Sequence, residues 1–283
     1  MSHFAIVRTL RDLRLAMASW RRAETRTALT PTMGALHEGH LSLVRLGRAN
    51  ADKVVASLFV NPAQFGPGED YLTYPRDETR DAGLLREAGC DLLYAPEIQQ
   101  IYPEGFATSV SVIGVTESME GAHRPGHFAG VATVVAKLLI QVAPDVAVFG
   151  EKDYQQLQTI RRLVTDLDLP VDILPAPIVR DADGLALSSR NAYLDVHQRM
   201  IAPRLNQALC RAAEAMRAGS RVDRAEHAAR HALLDAGFDA VEYFETRTSE
   251  TLARLGPGPI GGPARLLAVA RLGRTRLLDN VAL

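Results

Sequence analysis

The segment Lys53–Val60 (KVVASLFV) is apolar almost throughout, and this feature restricts the possible folds most strongly. A strand that faces solvent on one side alternates polar and apolar side chains, whereas a strand covered on both faces is continuously apolar. Helix-like patterns alternate with further short strand candidates, as at Arg8–Arg22, Leu41–Asn50 and Gln155–Leu167. Strands and helices that alternate in this way form right-handed βαβ units. The sequence therefore predicts an α/β fold with a Rossmann-like parallel sheet flanked by helices.

The composition of the chain changes near Pro175–Arg180. Helix-like segments rich in Ala and Arg, and then strand candidates, follow at 199–217, 223–236, 239–246 and 265–272. The Gly- and Pro-rich run at 256–263 is a loop inside this region, because strand-like sequence resumes after it. We therefore predict two domains, a Rossmann-like domain at 1–177 and a smaller mixed α+β domain at 178–283.

Bulk composition excludes several classes of protein. The chain has 32 basic and 33 acidic residues, a formal net charge of -1, which gives no indication of a nucleic-acid or membrane partner. Cys90 and Cys210 stand far apart, which argues against a disulfide framework or a zinc site and fits a reducing cytoplasm. Charged residues interrupt Met1–Arg22, so a signal peptide is not expected, and no apolar run reaches the ~20 residues of a membrane span.

The block Pro31–His40 contains a His-x-Gly-His motif between a strand candidate and a helix candidate. Unpaired N–H groups at a helix N-terminus attract phosphate, and Gly34 permits a sharp turn close to a ligand. His37 and His40 are three residues apart and should point to one side, with Gly39 leaving room for a base or ribose between the rings. Two imidazoles can stabilise charge that builds on leaving phosphates. Two surface histidines at an ordinary helix start are the alternative.

Two more polar segments directly follow strand candidates. The side-chain amides of Asn61 and Gln64 can donate and accept hydrogen bonds, which suits a substrate with hydroxyl and carboxylate groups. The alternative is ordinary Asn-Pro turn chemistry. In Gly150–Gln156, Lys152 suits a phosphate, and Asp153 could cap a helix, accept a ribose hydroxyl or help to hold a metal. A capped helix with solvated charges is the alternative there.

The loop Gly184–Asn191 lies near the predicted domain boundary. Two hydroxyls and a guanidinium at 188–190 can wrap a triphosphate and neutralise the leaving pyrophosphate. A helix N-cap before the 191–195 segment explains the same residues equally well.

Arg124 and His127 precede another helix candidate and could contact substrate, although a structural role is favoured. Neither a Walker phosphate loop nor the Gly-x-Gly-x-x-Gly dinucleotide fingerprint occurs in the chain.

Six blocks, in order along the chain, resemble the pantoate–β-alanine ligases, of the superfamily of His-x-Gly-His nucleotidylyltransferases. The blocks are PTMGALHEGH (31–40), FVNPAQF (59–65), YPR (74–76), RPGHFAGV (124–131), FGEKDYQQL (149–157) and GLALSSRN (184–191). Together they extend over about 26–195, whereas 196–274 matches only loosely. The resemblance implies an ATP-dependent ligase that joins pantoate to β-alanine through pantoyl adenylate, releasing pyrophosphate and then AMP. It also implies a homodimer, a domain at 178–283 that closes over ATP, and Mg²⁺ held by the ATP phosphates without a dedicated protein cage.

The site residues follow from the resemblance by position. His40, His37, Lys152 and Arg190 are the predicted catalytic residues, and the resemblance assigns His40 as the acid. Gln64 is expected to bind pantoate and β-alanine, Gln156 to bind pantoate, and Asn61 is a further candidate for substrate binding. The expected ATP-binding residues are Met33, Gly34, Ala35, Leu36, His37, Glu38, Gly39, His40, Gly150, Glu151, Lys152, Asp153, Val179, Leu187, Ser188, Ser189 and Arg190.

Two other functions are compatible with the same residues. One is a nucleotidylyltransferase that stops at an activated product and needs no amine. Another is a nucleotide-binding regulator without catalysis, which the intact set of His37, His40, Lys152 and Arg190 disfavours. A ligase has to keep its acyl adenylate away from water, and the loops at 66–75 and 184–191 are the candidate lids.

Overall fold

The computed structural model describes residues 4–283 and divides them into two compact units. The first unit contains the chain up to Glu151 together with Gln156–Pro177. The second contains Lys152–Gln155 and Ile178–Leu283. The short segment Lys152–Gln155 thus groups with the second unit, although it falls within the predicted domain 1–177.

The first unit is built on a single parallel sheet. Its strands are β1 (Ala5–Val7), β2 (Thr27–Thr32), β3 (Lys53–Leu58), β4 (Leu92–Tyr94), β5 (Val146–Gly150) and β6 (Asp172–Ala176). They pair in the order β1-β4-β3-β2-β5-β6, and every pair is parallel. In β3, Val54, Val55 and Ala56 are completely buried, as the continuously apolar run predicts. The predicted Rossmann-like sheet is confirmed.

The strand order reverses direction at β2. From β2 the chain builds outward through β3 and β4, whereas β5 returns to the other side of β2 and continues to β6. The loops that leave the carboxyl ends of β2 and β5 therefore diverge at this point. In open α/β sheets such a switch point forms the crevice where ligands bind.

Helices flank the sheet and begin at identifiable caps. They are α1 (Leu10–Arg22), α2 (Glu38–Asn50), α3 (Glu78–Glu87), α4 (Ile98–Ile101), α5 (Glu120–His123), α6 (His127–Val142) and α7 (Tyr154–Asp166). Side chains of Thr9 and Asp77 accept backbone N–H groups at the starts of α1 and α3. Helix α2 begins three residues before the predicted Leu41, because His37 serves as its N-cap. The apolar helix α6 is buried along most of its length.

The second unit is a small α+β domain. Its elements are α8 (Val196–Ile201), α9 (Arg204–Arg217), α10 (Val222–Asp235), β7 (Ala240–Thr248), β8 (Ala264–Leu272) and β9 (Thr275–Ala282). The three strands form an antiparallel sheet, and α9 and α10 share an apolar core with it. The predicted single helix at 199–217 is in fact two helices, because Pro203 has no backbone N–H and stands at the N-cap of α9.

The Gly- and Pro-rich loop 256–263 connects β7 to β8, as the sequence predicts. The loop also caps α10, because the carbonyl of Gly258 accepts the N–H of Val222, the first residue of this helix, at 2.7 Å. This contact satisfies one of the N–H groups that a helix N-terminus leaves unpaired.

Candidate active site

The His-x-Gly-His motif forms the N-terminal cap of α2. The Nδ1 atom of His37, the N-cap residue, accepts the backbone N–H of Gly39 at 3.1 Å. The Nδ1 atom of His40 accepts the backbone N–H of His37 at 3.3 Å. The two histidines thus complete a reciprocal capping box, in which each ring satisfies a backbone donor that would otherwise be unpaired.

These contacts determine what the two imidazoles can offer to a ligand. A backbone N–H can only donate, so Nδ1 is the acceptor in both rings. In its neutral form each ring therefore carries its proton on Nε2. The rings of His37 and His40 lie side by side, with centroids 4.1 Å apart, as their spacing in the sequence predicts. The motif therefore provides two neighbouring Nε2–H donors at the start of α2.

The expected space between the two imidazoles does not exist. A base or ribose between them would need about 3.5 Å on each side, more than the 4.1 Å separation of the centroids allows. Gly39 does not leave room for a base or ribose between the rings. Its N–H instead donates to Nδ1 of His37.

The turn between β2 and α2 is held by a residue that the sequence does not reveal. Gly34 and Ala35 both have positive φ angles, +88° and +51°. The following N–H groups, those of Ala35 and Leu36, donate to the two carboxylate oxygens of Asp81 at 2.8 and 2.9 Å. Asp81 belongs to α3 and is 1% exposed. No local motif links it to the turn, which lies more than 40 residues away in the chain.

A second set of contacts follows β3 and centres on Asn61, which is 1% exposed. Its Oδ1 accepts the hydroxyl of Tyr102 at 2.7 Å and the N–H of Ala63 at 3.2 Å. Its Nδ2 donates to the carbonyl of Gly130 and to Oε1 of Gln64, both at 3.1 Å. Because the backbone groups have only one possible role each, they determine the orientation of the Asn61 amide. Asn61 therefore uses all its polar atoms within the protein and supports Gln64.

Gln64 has the opposite character, since its amide nitrogen is not engaged with a strong acceptor. Its Oε1 is taken by Asn61, and its Nε2 lies 3.0 Å from the sulfur of Met33. A thioether sulfur is a weak acceptor, so a carboxylate or hydroxyl oxygen would replace it readily. A cavity of about 450 Å³ adjoins Met33, Gly34, Phe59 and Val60, at the carboxyl ends of β2 and β3.

Arg124 and His127 form an internally satisfied cluster with Glu69. The guanidinium of Arg124 donates to both carboxylate oxygens of Glu69, at 2.6 and 3.0 Å, and lies 3.1 Å from Nε2 of His127. His127 Nδ1 donates to the carbonyl of Gln64 at 2.8 Å, so Nε2 is left to accept from Arg124. These contacts tie the loop at 66–75 to the segment that carries Gln64. They support the structural role favoured by the sequence.

The charges in this cluster are consistent with that arrangement. Burial, and secondly the nearby Arg124 cation, lower the pKa of His127 and favour its neutral form. Burial raises the pKa of Glu69, but the hydrogen bond and charge of Arg124 outweigh it, so that the pKa lies below its usual value. Glu69 and Arg124 therefore form an ion pair next to a neutral imidazole.

Gly150 and Gln156 belong to the first unit, whereas the predicted phosphate ligands Lys152 and Asp153 belong to the second. Gln156 is half-buried on α7, and Gly150 ends β5. The backbone carbonyl of Lys152 accepts from Nδ2 of Asn280 at 2.9 Å, which fixes the turn that carries its side chain.

The loop 184–191 lies in the second unit together with Val179 and Leu187. The N–H of Leu187 donates to the carbonyl of Val179 at 3.0 Å. Ser188 is the N-cap of a 3-10 turn, Ser189–Tyr193, and its Oγ accepts the N–H of Arg190 at 3.3 Å, so the capped turn begins two residues before the 191–195 segment that the capping alternative named. Neighbouring Arg180 anchors the loop through a bidentate pair with Asp279 at 2.7 and 2.8 Å.

Residues 4–283 contain neither a clustered metal site nor a membrane-spanning helix. No three or more His, Cys, Asp or Glu side chains in this range are grouped so that they could hold a metal ion. None of the helices in this range combines the length and apolar character required to cross a bilayer.

Comparison with known proteins identifies the family. A family model described as pantoate-beta-alanine ligase matches residues 5–282. The chain belongs to the pantoate-beta-alanine ligase family. A pantothenate synthetase from Caulobacter vibrioides is 56% identical over 278 residues, which is 98% of each chain. One from Rhodospirillum rubrum is 53% identical over 281 residues, or 99% of each. The resemblance noted in the sequence is confirmed, and the chain is a ligase of this family.

Solved structures of pantoate-beta-alanine ligases share the fold. The pantothenate synthetase of Thermus thermophilus superposes with a TM-score of 0.92 at 48% identity, over 98% of both chains. The enzyme of Francisella tularensis gives a TM-score of 0.83 at 30% identity, over 99% of this chain and 97% of that one. The latter was solved in complex with beta-gamma ATP and beta-alanine.

Proposed function

We propose that this ligase condenses pantoate with β-alanine to pantothenate through pantoyl adenylate, with ATP as co-substrate. The observation that carries the proposal is the pair of Nε2–H donors of His37 and His40 at the start of α2, in a chain matched by the family model over residues 5–282. The bound ATP analogue and β-alanine of the Francisella tularensis relative support the choice of two substrates.

In the first step, a carboxylate oxygen of pantoate attacks the α-phosphorus of ATP. A new P–O bond forms, the bond to the bridging oxygen breaks, and pyrophosphate leaves with the electron pair. Adenylation of this kind requires alignment and charge stabilisation more than covalent help from the protein. Mg²⁺ would enter with ATP as part of the substrate and would neutralise part of the charge on its phosphates.

We assign the charge stabilisation to four side chains. His37 and His40 donate from Nε2 to phosphate oxygens, and since both rings are capped at Nδ1, they act as hydrogen-bond donors with no proton transfer required. Lys152 and Arg190 bring positive charge to the departing pyrophosphate. Other contacts to ATP come from backbone and side chains at 33–40, 150–153, 179 and 187–190.

Pantoate is bound by Gln64 and Gln156. The amide of Gln64 is oriented so that Nε2 lies against the Met33 sulfur, and in this proposal a pantoate oxygen replaces that sulfur as the acceptor. Gln64 also contacts β-alanine in this proposal. Asn61 contributes by holding Gln64, because its own polar atoms are occupied.

In the second step, the neutral amine of β-alanine attacks the acyl carbon of pantoyl adenylate. The C–N bond forms, the C–O bond to the phosphate breaks, AMP leaves, and the amine loses its extra proton to solvent. Water competes with the amine, so the acyl adenylate must be shielded. The loops at 66–75 and 184–191 are the proposed lids, and the domain at 178–283 is proposed to close over ATP.

We further propose that the ligase is a homodimer in the cytoplasm. The family resemblance supports the dimer, and the free cysteines Cys90 and Cys210 are compatible with a reducing compartment. Light scattering tests the first point, since a dimer has twice the 30.8 kDa mass of the chain.

The decisive experiment measures AMP and pyrophosphate release from Mg·ATP and pantoate, with and without β-alanine. Sustained AMP release that requires both substrates supports the ligase. Pyrophosphate release that ignores β-alanine would indicate a nucleotidylyltransferase that stops at the adenylate. Binding of ATP without any release would indicate a regulator, and either of these outcomes rejects the proposal.

A further inference from the structure

The turn that precedes the His-x-Gly-His motif has the geometry of an anion-binding site. Two successive residues, Gly34 and Ala35, have positive φ angles, and the consecutive N–H groups of Ala35 and Leu36 point to one acceptor group. Such concave arrangements of backbone N–H groups bind phosphates and other anions. In this ligase, the anion is internal, since the carboxylate of Asp81 accepts both N–H groups, those of Ala35 and Leu36.

The conformation of this turn is unfavourable without such a partner. Ala35 carries a Cβ, and a left-handed backbone at a residue other than glycine costs about 1 kcal/mol or more. The N–H group of Leu36, in a residue that is 1% exposed, would also lose its hydrogen-bond acceptor. Asp81 offsets both costs with charge-assisted hydrogen bonds of 2.8 and 2.9 Å.

The contact is buried and has little freedom. Asp81 itself is 1% exposed, and the cation that pairs with its carboxylate is Arg80, whose NH1 lies 3.5 Å from Oδ1 and whose side chain is 55% exposed. A Cβ on Gly34 would lie 3.1 Å from Oδ2 of Asp81. The turn therefore passes so close to the carboxylate that a side chain at 34 would crowd it.

We propose that Asp81 is a positioning residue for adenylation, an assignment that rests on the proposed function. By filling the anion site of the turn, it sets the approach of the chain to His37 and His40. It also makes the N–H groups of Ala35 and Leu36 unavailable to ATP. The triphosphate is thereby directed to the imidazoles and the start of α2, so Ala35 and Leu36 line the ATP site without donating backbone hydrogen bonds to its phosphates.

The test compares Asp81→Asn and Asp81→Ala with Asp77→Ala. Asn has the shape of Asp, but one of its two side-chain groups is an NH₂. This NH₂ would face the N–H of Ala35 or Leu36, so that one hydrogen bond is lost and two donors point at each other. Asp77 caps the same helix, α3, through the N–H of Arg80, so its variant controls for loss of helix stability. We expect both Asp81 variants to lower kcat/KM for ATP about 10- to 100-fold per folded enzyme, as small misplacements of reacting groups do. Asp77→Ala should leave it unchanged.

Two further measurements distinguish positioning from plain stability. Synthetic pantoyl adenylate bypasses ATP, so the Asp81 variants should convert it with β-alanine at close to the wild-type rate. Added formate should partly restore kcat/KM for ATP in Asp81→Ala, where it can occupy the vacated anion site, and should not affect Asp77→Ala.

If the Asp81 variants unfold at lower temperature but keep the wild-type kcat/KM for ATP, Asp81 is only structural and the inference fails. If they are equally impaired with pantoyl adenylate, the residue does not act on adenylation and the inference also fails. Should Asp81→Ala not fold, the near-isosteric Asn variant decides the question. A wild-type enzyme that makes no pantothenate would instead reject the proposed function.

Discussion

At the residue scale, backbone hydrogen bonds to Nδ1 determine which ring nitrogen of His37 and His40 can donate to a ligand. The N–H groups of His37 and Gly39 occupy the Nδ1 atoms, so the Nε2 atoms of His37 and His40 are the donors that remain. Helix capping and the proposed phosphate binding would therefore be combined in the same side chains. Substitutions can separate them.

We expect His37→Asn to separate capping from catalysis. Asn is a good N-cap, so α2 should keep its stability, whereas the Nε2–H donor is lost. Losing a donor to developing charge lowers kcat about 10²- to 10³-fold. Pyrophosphate release and thermal unfolding measure the two effects. His37→Ala should show the same loss of kcat together with about 0.5–2 kcal/mol of lost stability. Wild-type turnover in His37→Asn would contradict the assigned role.

The second residue-scale prediction concerns Tyr102, whose hydroxyl holds Asn61 and through it Gln64. Tyr102→Phe should raise KM for pantoate several-fold, because the Asn61 amide loses one of the donors that orient it. Burial raises the pKa of Tyr102 to about 12, so its hydroxyl stays protonated and this effect should not vary between neutral and mildly alkaline pH.

Tyr94→Phe is the matched control for this substitution. Tyr94 also donates a buried hydrogen bond to a side-chain amide, that of Gln141 at 3.1 Å, and burial also raises its pKa to about 12. Both variants should lose about 1 kcal/mol of stability. Only Tyr102→Phe should change KM for pantoate, and equal KM values would show that Tyr102 does not act through Gln64.

At the scale of secondary structure, the close approach of α6 to the segment after β3 positions Gln64. Helix α6 has glycine at its contact point, because a Cβ at Gly130 would lie 2.2 Å from the carbonyl oxygen of Ala63. The same region carries the hydrogen bond from Asn61 to the carbonyl of Gly130. Backbone contact of this kind leaves no room for a side chain.

Gly130→Ala should therefore destabilise the protein and raise KM for pantoate, since segment 61–64 has to move. Gly83→Ala is the control. It also replaces a helical glycine, but its Cβ would meet no atom within 4 Å, so it should stabilise the protein by about 0.5–1 kcal/mol. Thermal unfolding and KM for pantoate report both effects. A Gly130→Ala variant as stable as Gly83→Ala would show that the contact can relax.

The start of α6 should also make stability sensitive to acid. In the folded protein, burial and the charge of Arg124 lower the pKa of His127, whereas the unfolded chain has a value near 6.5. Below about pH 6.5, the unfolded state therefore binds a proton that the folded state does not, and the free energy of unfolding falls as pH falls. Urea unfolding between about pH 7 and pH 5 should show a shallower loss in His127→Gln than in the wild type. Identical slopes for His127→Gln and the wild type would refute the expectation.

At the scale of the whole molecule, the second unit includes a segment that the chain supplies from elsewhere. Lys152–Gln155 groups with Ile178–Leu283. The hydroxyl of Tyr154 donates to the carbonyl of Ser249 at 2.9 Å, and the guanidinium of Arg265 lies 4.2 Å from the centre of the Tyr154 ring. The second unit is therefore incomplete when its sequence begins at 178.

A fragment of residues 178–283 should accordingly be less stable than one in which residues 152–155 precede it. In the second fragment, a Gly/Ser linker of equal length replaces residues 156–177. Each hydrogen bond that is regained contributes about 1 kcal/mol, so the linked fragment should unfold at a higher temperature. Tyr154→Ala in the linked fragment should cancel most of the gain. Equal melting temperatures of the two fragments would contradict the prediction.

Much of the fold follows from local patterns, and the exceptions have physical reasons. The apolar run of β3 and the alternating helices indicate a parallel sheet, because burial on both faces requires such sequences. The three-residue strand β1 escapes prediction because so short a segment shows no periodicity, and its pairing with β4 depends on residues far along the chain. The hydrophobic pattern of 275–282 does not predict the last strand, β9, either. This strand is held in place by pairing with β8.

Sequence alone establishes the sheet, the two-domain composition and the family, because periodicity, turn residues and ordered motifs are local properties of the chain. It also supplies the residues proposed here for catalysis and substrate binding. The folded molecule was needed to reveal Asp81 behind the motif, Tyr102 behind Asn61, and the assignment of Lys152–Gln155 to the second unit. These depend on single hydrogen bonds and contacts between distant segments. Such contacts leave no periodic trace in the sequence, because any residue of the right chemistry can make them once the fold brings the partners together.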